Sequence, residues 1–415
     1  MLTRRDLIKG GVALVSLGTV SDSLLKGAVA FAAQHPRDVV PGREKRAVVL
    51  VQLAGGNDGL RTVVPYGDPA YRSARRTIAM AEDAPLAIGE GFGLHPALKG
   101  LKAISDGARL AVVRGVGYPD QDYSHFKSMA IWQAGDPALR LRDGWLGRTL
   151  EQLEGDTHDP FLGFNVGTAA PAELRTPAIS VPSVSDPADY QFRVKGEPAA
   201  PGDRRTETLV RLYEQYPSAA PHAVLLETTA ETAVSSSRAL ATAGAGYRPA
   251  VDYPETSFGT GMSLLAEVIV GDLGMRVGHI TLGGFDTHAN ETDDHDRLMS
   301  TLDEGLSAFF RDLEAHGRLD DVLVLTWSEF GRRVAENANG GTDHGAGSVL
   351  FAFGGGVRGG LYGDPMSLTR LVDGGNLAYT TDFRRVYATV IESWMGVPHA
   401  PLMGGNWDQL GFCSP

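Results

Sequence analysis

The sequence predicts an α/β fold in which a mostly parallel sheet carries helices on both faces. Three observations support this prediction. Continuous apolar runs such as AVVLVQLAGG (47–56) and ARLAVVRGVG (108–117) are typical of strands buried on both faces. Segments with the apolar spacing of helices alternate with these runs. Glycine-rich segments such as AGGNDG and GGTDHGAG adjoin them, at the strand ends where α/β proteins place their sites.

The remaining elements follow in order along the chain. Residues 95–107 have helical spacing, and residues 124–135 begin with an N-cap serine. Apolar runs at 276–284, 321–327 and 348–357 predict further buried strands. Residues 293–317 predict a long amphipathic helix, and residues 382–396 predict the last helix. We therefore expect one α/β domain over residues 47–415, with a less regular insertion or cap near 170–255 that is rich in Ala, Pro, Ser and Thr.

The N-terminus has the layout of a cleavable export signal. MLTRRDLIKGG carries paired arginines, VALVSLGTV is mildly apolar, and small residues with A-x-A spacing follow at 28–32. The paired arginines indicate a twin-arginine signal over residues 1–33, followed by a polar linker over 34–46. The apolar run of the signal is too short for a membrane span, and we expect no stable span after the signal is removed. We expect a periplasmic, extracellular or cell-surface protein. The twin-arginine export route also weakly favours a protein that carries a bound metal.

Composition narrows the choice of partners. The 415 residues are 43% hydrophobic and 21% charged, with a formal net charge of -12. An acidic chain repels phosphate backbones, so nucleic acid is not an expected partner. The single cysteine, Cys413, excludes a disulfide within the monomer.

Polar side chains that are suited to holding a divalent metal follow several of the predicted strands. In a parallel sheet these strand ends share one edge, so residues far apart in sequence can converge there. Carboxylates and imidazoles together suit zinc, or manganese where oxygen ligands dominate, and carboxylates also suit calcium or magnesium. The candidate ligands are Asp58, Asp286, His288, Glu329, Asp343 and His344.

Two further residues are candidates for a direct part in a reaction. Ser124 opens a predicted helix and is a candidate nucleophile, because the helix N-terminus favours a bound anion. Arg114, on the strand before it, is a candidate for holding charged ester oxygens, as is the helix N-terminus itself.

Each candidate also has a simpler structural explanation when it is taken alone. Asp58 lies in an NDG turn tripeptide, Ser124 is a common N-cap, and Asp286 is suited to capping the next helix. The functional interpretation depends on their convergence. The sequence has no G-x-S-x-G elbow, which disfavours a standard α/β-hydrolase. It has no G-x-G-x-x-G after the first strand, which disfavours a dinucleotide cofactor.

Several longer motifs resemble a known family. LAGGNDGLRTVVPY, SHFKSMAIWQAG, GGFDTHAN, LTWSEFGRRVAEN, GGTDHGAG and GGLYG occur in this order over about residues 46–400. Together they resemble the domain of unknown function 1501 family, bacterial proteins that commonly carry a twin-arginine signal. The resemblance implies the alkaline phosphatase and sulfatase superfamily, with an α/β/α sandwich and a two-metal site at the strand ends.

The resemblance assigns roles to some of the candidates. Asp58 matches the Asp after the first strand, Ser124 matches the nucleophile at a helix start, and Asp286 matches a later ligand. His288 follows Asp286 more closely than the superfamily pattern has it, and His344 resembles the last histidine. Glu329 occupies a carboxylate position, but Phe330 stands where the next histidine is expected. The resemblance thus leaves open one metal, a rearranged pair or none, with His125, His288 or Asp343 as substitutes for the missing imidazole.

The expected function is that of an exported metal-dependent hydrolase of phosphate or sulfate esters, acting on a small-molecule or polymer substrate. In this hypothesis the carboxylates and histidines hold one or two divalent ions, and Ser124 attacks phosphorus or sulfur. The alternative is a non-catalytic exported binding or scaffold protein that retains the fold with a degenerate site. Phe330 favours that alternative.

Overall fold

The computed structural model describes residues 43–154, 159–186, 190, 208, 211 and 221–413, of which 221–232 are described by their backbone alone. The predicted signal over 1–33, most of the linker over 34–46 and part of the insertion near 170–255 therefore lie outside the described residues.

The central sheet has nine strands in the described part of the chain, in the order β13-β5-β12-β9-β1-β8-β6-β7, with β16 paired to β5. Their bounds are β1 Ala47–Ala54, β5 Leu110–Gly117, β6 Gly163–Val166, β7 Ser183–Val184, β8 Val277–Gly283, β9 Val322–Trp327, β12 Ser348–Gly354, β13 Gly360–Tyr362 and β16 Thr381–Asp382. Smaller sheets are formed by β2 Val63–Val64, β3 Leu86–Gly89 and β4 Phe92–Leu94, by β10 Gly331–Arg332 and β11 His344–Gly345, and by β14 Leu371–Val372 and β15 Asn376–Leu377.

Helices cover both faces of this sheet. Their bounds are α1 Gly59–Thr62, α2 Pro69–Ala74, α3 Lys99–Asp106, α4 His125–Ala134, α5 Trp145–Leu153, α6 Pro221–Gly246, α7 Ser257–Val270, α8 Glu291–Ala315, α9 Phe383–Ala388 and α10 His399–Met403. Short 3₁₀ turns lie at Ala172–Leu174 and Leu319–Asp321, and a π-helical stretch at Thr389–Trp394 continues α9. Within the described residues, no helix is both long enough and apolar enough to cross a membrane.

Strand β1 shows why the sheet needs two helical layers. All of its residues but the last are buried, and successive side chains point to opposite faces. Val49 and Val51 belong to the core that includes residues of α3, α7 and α8. Val48 and Leu50 belong to the core that includes residues of α4, α5 and α9. A strand that is apolar on both faces can only be buried between two layers, so the predicted α/β/α arrangement is confirmed.

The sheet is mostly parallel, as predicted, with one exception that shapes the site. β1 pairs in parallel with β8 and β9, whereas β12 pairs antiparallel with both β9 and β5. The parallel strands therefore end at one edge, and β12 begins at that same edge. Asp343 and His344 lie in the segment before β12, which includes the short strand β11. They therefore reach the edge from the start of β12 rather than from the end of a strand.

Two glycines let the end of β1 approach its neighbours closely. Gly55 and Gly56 have φ angles of 124° and 82°, a conformation that side chains rarely adopt. A Cβ atom on Gly55 would clash with the backbone nitrogen of Asp286, and one on Gly56 would clash with the ring of Phe330. These glycines of the AGGNDG segment therefore bring three strand ends into contact.

A buried polar network lies beneath this edge. The Asp58 carboxylate accepts hydrogen bonds from both terminal nitrogens of Arg75, one of them at 3.0 Å, and both side chains are fully buried. Asp58 also caps α1 through the backbone nitrogen of Leu60 at 3.0 Å. Glu291 at the start of α8 lies beside Asp58 and accepts from the Thr342 hydroxyl at 2.7 Å.

The network sets opposite protonation states for its two carboxyl groups. Burial, and then the negative charge of Asp58, raise the pKa of Glu291 to about 9. Burial also opposes ionisation of Asp58, but the charge and hydrogen bonds of Arg75 hold the pKa of Asp58 well below its usual range. At neutral pH Glu291 is therefore protonated, and its hydroxyl hydrogen is available to the Asp58 carboxylate.

Replacing Glu291 by glutamine should remove a pH dependence of stability. Between the ordinary glutamate pKa and about 9, the folded chain binds a proton at Glu291 that the unfolded chain has released. The free energy of unfolding therefore falls as pH rises, by up to about 1.4 kcal/mol per pH unit from this group. Glu291→Gln cannot ionise, so chemical denaturation at pH 6, 7 and 8 should show a flatter profile than that of the wild type.

Glu304→Gln, at an exposed position on the same helix, is the matched control and should keep the wild-type slope. Equal slopes for the wild type and Glu291→Gln would show that Glu291 is ionised in the folded protein.

Candidate metal centre

Three imidazoles and one carboxylate converge at the sheet edge. Donor atoms of His125, Asp286 and His344 all lie within 4.8 Å of one another. The Nε2 atoms of His288 and His344 each lie 3.1 Å from Oδ1 of Asp286. Nε2 of His125 lies 3.5 Å from Oδ2 of the same carboxylate. We call His125, Asp286, His288 and His344 the histidine cluster.

The other ring nitrogen of each histidine is held from behind. Nδ1 of His125 bonds to Oε1 of Glu329 at 2.8 Å, and Nδ1 of His288 lies 3.3 Å from Oδ1 of Asp343. Nδ1 of His344 bonds to the backbone oxygen of Tyr123 at 2.8 Å. Carboxylate and carbonyl oxygens only accept, so each Nδ1 carries a hydrogen, and a ring that is neutral in this tautomer presents an Nε2 lone pair to the cluster.

This arrangement places acceptors against acceptors. Nε2 of His288 and Nε2 of His344 are 2.9 Å apart, and both face the Asp286 carboxylate. Burial is the main cause that lowers the pKa of His344 and so favours its neutral form. Lone pairs that converge in this way repel one another unless a cation lies between them. Imidazole ligands whose second nitrogen is bonded to a carboxylate or carbonyl are typical of zinc sites.

Asp286 is held in its ionised form. Partial burial opposes ionisation, but the hydrogen bond from Arg332, the adjacent His344 ring and the charge of Arg332 lower the pKa of Asp286 to about 2. The carboxylate is therefore available as an anionic ligand at any pH at which the protein is expected to work.

Arg332 connects the cluster to the sheet. The side chain is fully buried, and each of its three nitrogens donates to protein acceptors. Its acceptors are the backbone oxygens of Gly55, Gly56, Phe285 and Thr342 and Oδ1 of Asp286, and one of its terminal nitrogens also lies 3.5 Å from Nε2 of His288. A buried guanidinium is tolerated only when its donors are satisfied in this way. Arg332 thus joins the ends of β1 and β8 to the loop before β11.

Phe330, which replaces an expected histidine, packs beneath the cluster. It is 1% exposed, and its ring centroid lies 4.8 Å from that of His125 and 4.4 Å from that of His344. It provides no ligand atom, but it limits the positions that the two imidazoles can take. His125 supplies an imidazole from the neighbouring helix instead.

The structure places the other sequence-predicted residues around the cluster rather than in it. Asp58 is fully buried against Arg75 and caps α1, so its carboxylate is committed to the fold. Glu329 is 1% exposed and bonds to His125 and to the backbone nitrogen of Gly55 at 2.9 Å. Asp343 bonds to His288 and to the Asn337 amide. Glu329 and Asp343 therefore orient histidines.

Ser124 and Arg114, the two residues predicted to take a direct part in a reaction, have different surroundings. Ser124 is exposed at the N-cap of α4, and its side chain makes no capping hydrogen bond. Its chain neighbours are Tyr123, whose carbonyl bonds to His344, and His125 of the cluster. Arg114 is 6% exposed and donates to Glu90 at 2.6 Å and to the backbone oxygen of Gly363 at 2.8 Å. Arg114 is thus engaged away from the cluster.

Two residues of the site carry a weaker sequence signal. Arg332 lies in the SEFGRRVAEN motif, where nothing local distinguishes it from Arg333. His125 follows the N-cap serine, and its role depends on Glu329, which is 204 residues further along the chain. The family resemblance offered His125 only as one of three substitutes for the imidazole missing at Phe330, and its place in the first turn of a helix after a buried strand is the further signal in its favour.

The comparisons with known proteins agree with the motif analysis. A family model described as "Protein of unknown function (DUF1501)" matches residues 110–400. The chain belongs to this family. The matched region contains the whole histidine cluster and the residues that orient it, so the cluster lies within the part that defines membership. No curated protein matches the chain by sequence.

Solved structures that match the chain include a sulfatase and a phosphonate monoester hydrolase. One is a sulfatase from Pseudoalteromonas sp., with 12% identity, a TM-score of 0.40, and coverage of 94% of this chain and 75% of that one. Another is a phosphonate monoester hydrolase of Agrobacterium radiobacter, with 9% identity, a TM-score of 0.38, and coverage of 87% and 78%. At these scores the likeness gives no information on the substrate of this chain.

Asp286 and Asp58 should respond in opposite ways to the same substitution. Asp286→Asn should abolish metal uptake, because the cluster loses its anionic ligand, and it should cost less stability, because this carboxylate is solvent-exposed and Arg332 keeps its four backbone acceptors. Asp58→Asn should lower the free energy of unfolding by about 3–5 kcal/mol, because it leaves Arg75 buried without its partner. The folded fraction of Asp58→Asn should still take up metal. Elemental analysis and chemical denaturation of both variants measure the contrast.

Loss of metal from folded Asp58→Asn, with normal uptake by Asp286→Asn, would return Asp58 to the ligand set.

Glu329→Gln should weaken metal binding without abolishing it. The amide lacks the charge that holds the His125 ring, and changes of this kind reduce metal affinity by about 10–100-fold. Competition with a chromophoric chelator measures the dissociation constant, and Glu304→Gln serves as the control. An unchanged constant would show that Glu329 has no part in orienting His125.

Proposed function

We propose that this chain is an exported hydrolase of phosphate or sulfate esters that uses one divalent metal ion held by the histidine cluster. The observation that carries this proposal is that the Nε2 atoms of three histidines lie within 3.5 Å of the Asp286 carboxylate, each ring being held from behind by an acceptor. Three nitrogen ligands and one carboxylate favour zinc.

One ion suits the described residues better than two. A second site would need Asp58 or Glu329, as the family resemblance implies. Asp58 is paired with Arg75, and Glu329 is bonded to His125 and Gly55. The Arg332 guanidinium already contacts Asp286 at 2.7 Å on the side of the strand ends, so it supplies positive charge there.

With a divalent ion bound, the charges around the cluster would favour an anionic substrate. Asp286, Glu329 and Asp343 are balanced only in part by Arg332 and Arg333, which leaves an excess of negative charge. A divalent ion reverses the sign and makes the site attractive to a sulfate or phosphate ester. When bound, the ion would polarise an ester oxygen and stabilise the charge that develops on it.

The chain's own residues have separate parts in this proposal. Glu329, Asp343 and the Tyr123 carbonyl orient the histidines, and Phe330 limits the movement of two rings. Ser124 is the proposed nucleophile, because its hydroxyl makes no capping bond and its chain neighbours hold the cluster. The start of α4, where backbone N–H groups are free, is suited to holding the charged ester oxygens.

A metal-reconstitution experiment tests the proposal. Protein exported with its own N-terminus is analysed for metal, stripped with a chelator and reloaded with zinc, manganese, magnesium or calcium. We expect zinc at about one ion per chain. Hydrolysis of 4-nitrophenyl phosphate and 4-nitrophenyl sulfate should depend on the ion.

Ser124→Ala separates the nucleophile from the metal site. We expect loss of turnover by a factor of at least about 100, since a missing nucleophile removes the covalent route, with unchanged metal content. Ser105→Ala, at a serine elsewhere in the chain, is the control. A folded protein that takes up no metal would contradict the proposal, and a metal-loaded protein inert on both esters would favour the non-catalytic alternative.

A further inference from the structure

Two consecutive arginines follow the end of β9, and they have different surroundings. All three nitrogens of Arg332 bond to protein acceptors. The backbone of Arg333 is equally well fixed. Its N–H donates to the backbone oxygen of Asp343 at 3.0 Å, and its own oxygen accepts from Arg75 at 3.0 Å. The start of the Arg333 side chain is therefore held in place beside the loop that carries His344.

The guanidinium of Arg333 has no such engagement. In the part of the chain that the structure describes, it forms no ion pair and no hydrogen bond, and its Nε is buried without an acceptor. A buried donor that lacks a partner is destabilising, and such groups are rare in folded proteins. The side chain as a whole is half-buried, so its remaining donors are accessible to a ligand.

Arg333 borders the cluster without belonging to it. It lies opposite Asp343, whose side chain bonds to His288, and its charge also reaches Tyr123, whose carbonyl bonds to His344. Electrostatics agree with this position. The pKa of Asp343 is lowered chiefly by the Asn337 hydrogen bond, with a further contribution from Arg333. Burial and Asp373 raise the pKa of Tyr123 to about 12, and Arg333 opposes that rise.

We propose that Arg333 binds a second anionic group of the substrate, separate from the ester at the histidine cluster. The inference rests on the proposed function and narrows its substrate class to esters that carry a further carboxylate, sulfate or phosphate. Arg332 cannot bind this second anionic group, because its nitrogens already donate to protein acceptors. An arginine fork with free donors is suited to a planar carboxylate or a tetrahedral oxyanion.

Binding of small phosphonates tests the inference without turnover. Zinc-loaded protein is titrated by calorimetry with methylphosphonate, which has one anionic group, and with phosphonoacetate and 3-phosphonopropionate, which add a carboxylate at two distances. We expect at least one carboxylated probe to bind about tenfold more tightly than methylphosphonate. Arg333→Gln should remove this gain, leave the zinc content unchanged and change the methylphosphonate affinity by much less than tenfold.

Arg297→Gln, at an exposed arginine paired with Asp294 on α8, is the matched control and should retain the gain. Should Arg333→Gln lose zinc, Arg333→Met is the second variant, with the same expected result. A gain that persists without Arg333, or no gain with either carboxylated probe, would overturn the inference and leave the proposed function intact. Wild-type protein that takes up no metal would overturn both.

Discussion

The buried guanidinium of Arg332 is the interaction on which the candidate site depends. It bonds to backbone oxygens at the ends of β1 and β8 and before β11, and it also contacts the Asp286 carboxylate. These bonds fix the separation of segments that carry different cluster residues. Because a guanidinium is rigid and planar, it fixes their relative orientation as well. The same group keeps Asp286 ionised, so one side chain determines both the shape and the charge of the site.

The residues around Arg332 make this burial possible. Gly55 and Gly56 have conformations that only glycine adopts readily, and they allow the strand ends to come close enough for one arginine to reach them. Phe330 fills the space next to Gly56 and supports two imidazoles. The substitution that suggested a degenerate site thus fits a different ligand arrangement, in which α4 supplies an imidazole through His125.

Much of the fold could be predicted from the sequence, because its strands are apolar on both faces. β1, β5, β8 and β9 all lie within the predicted apolar runs, and the long helix α8 over Glu291–Ala315 overlaps the helix predicted over 293–317. The antiparallel direction of β12 could not be predicted in this way, since an apolar run is equally compatible with either direction. The candidate site was predictable in part. Asp286, His288 and His344 meet at the expected edge, but Asp58 and Arg114, which have similar local sequence signals, are engaged elsewhere.

Local sequence was sufficient to predict the main elements, their order and the edge at which polar side chains collect, because periodicity and turn residues act over short distances. Which side chains face one another at that edge depends on tertiary contacts. Asp58 pairs with Arg75, His125 with Glu329, and Arg332 with Asp286, and each pairing depends on the approach of separate segments. Burial is the reason that these pairings override the local motifs. A charged group that is removed from water needs a partner, and the fold provides that partner whatever role the local motif suggests.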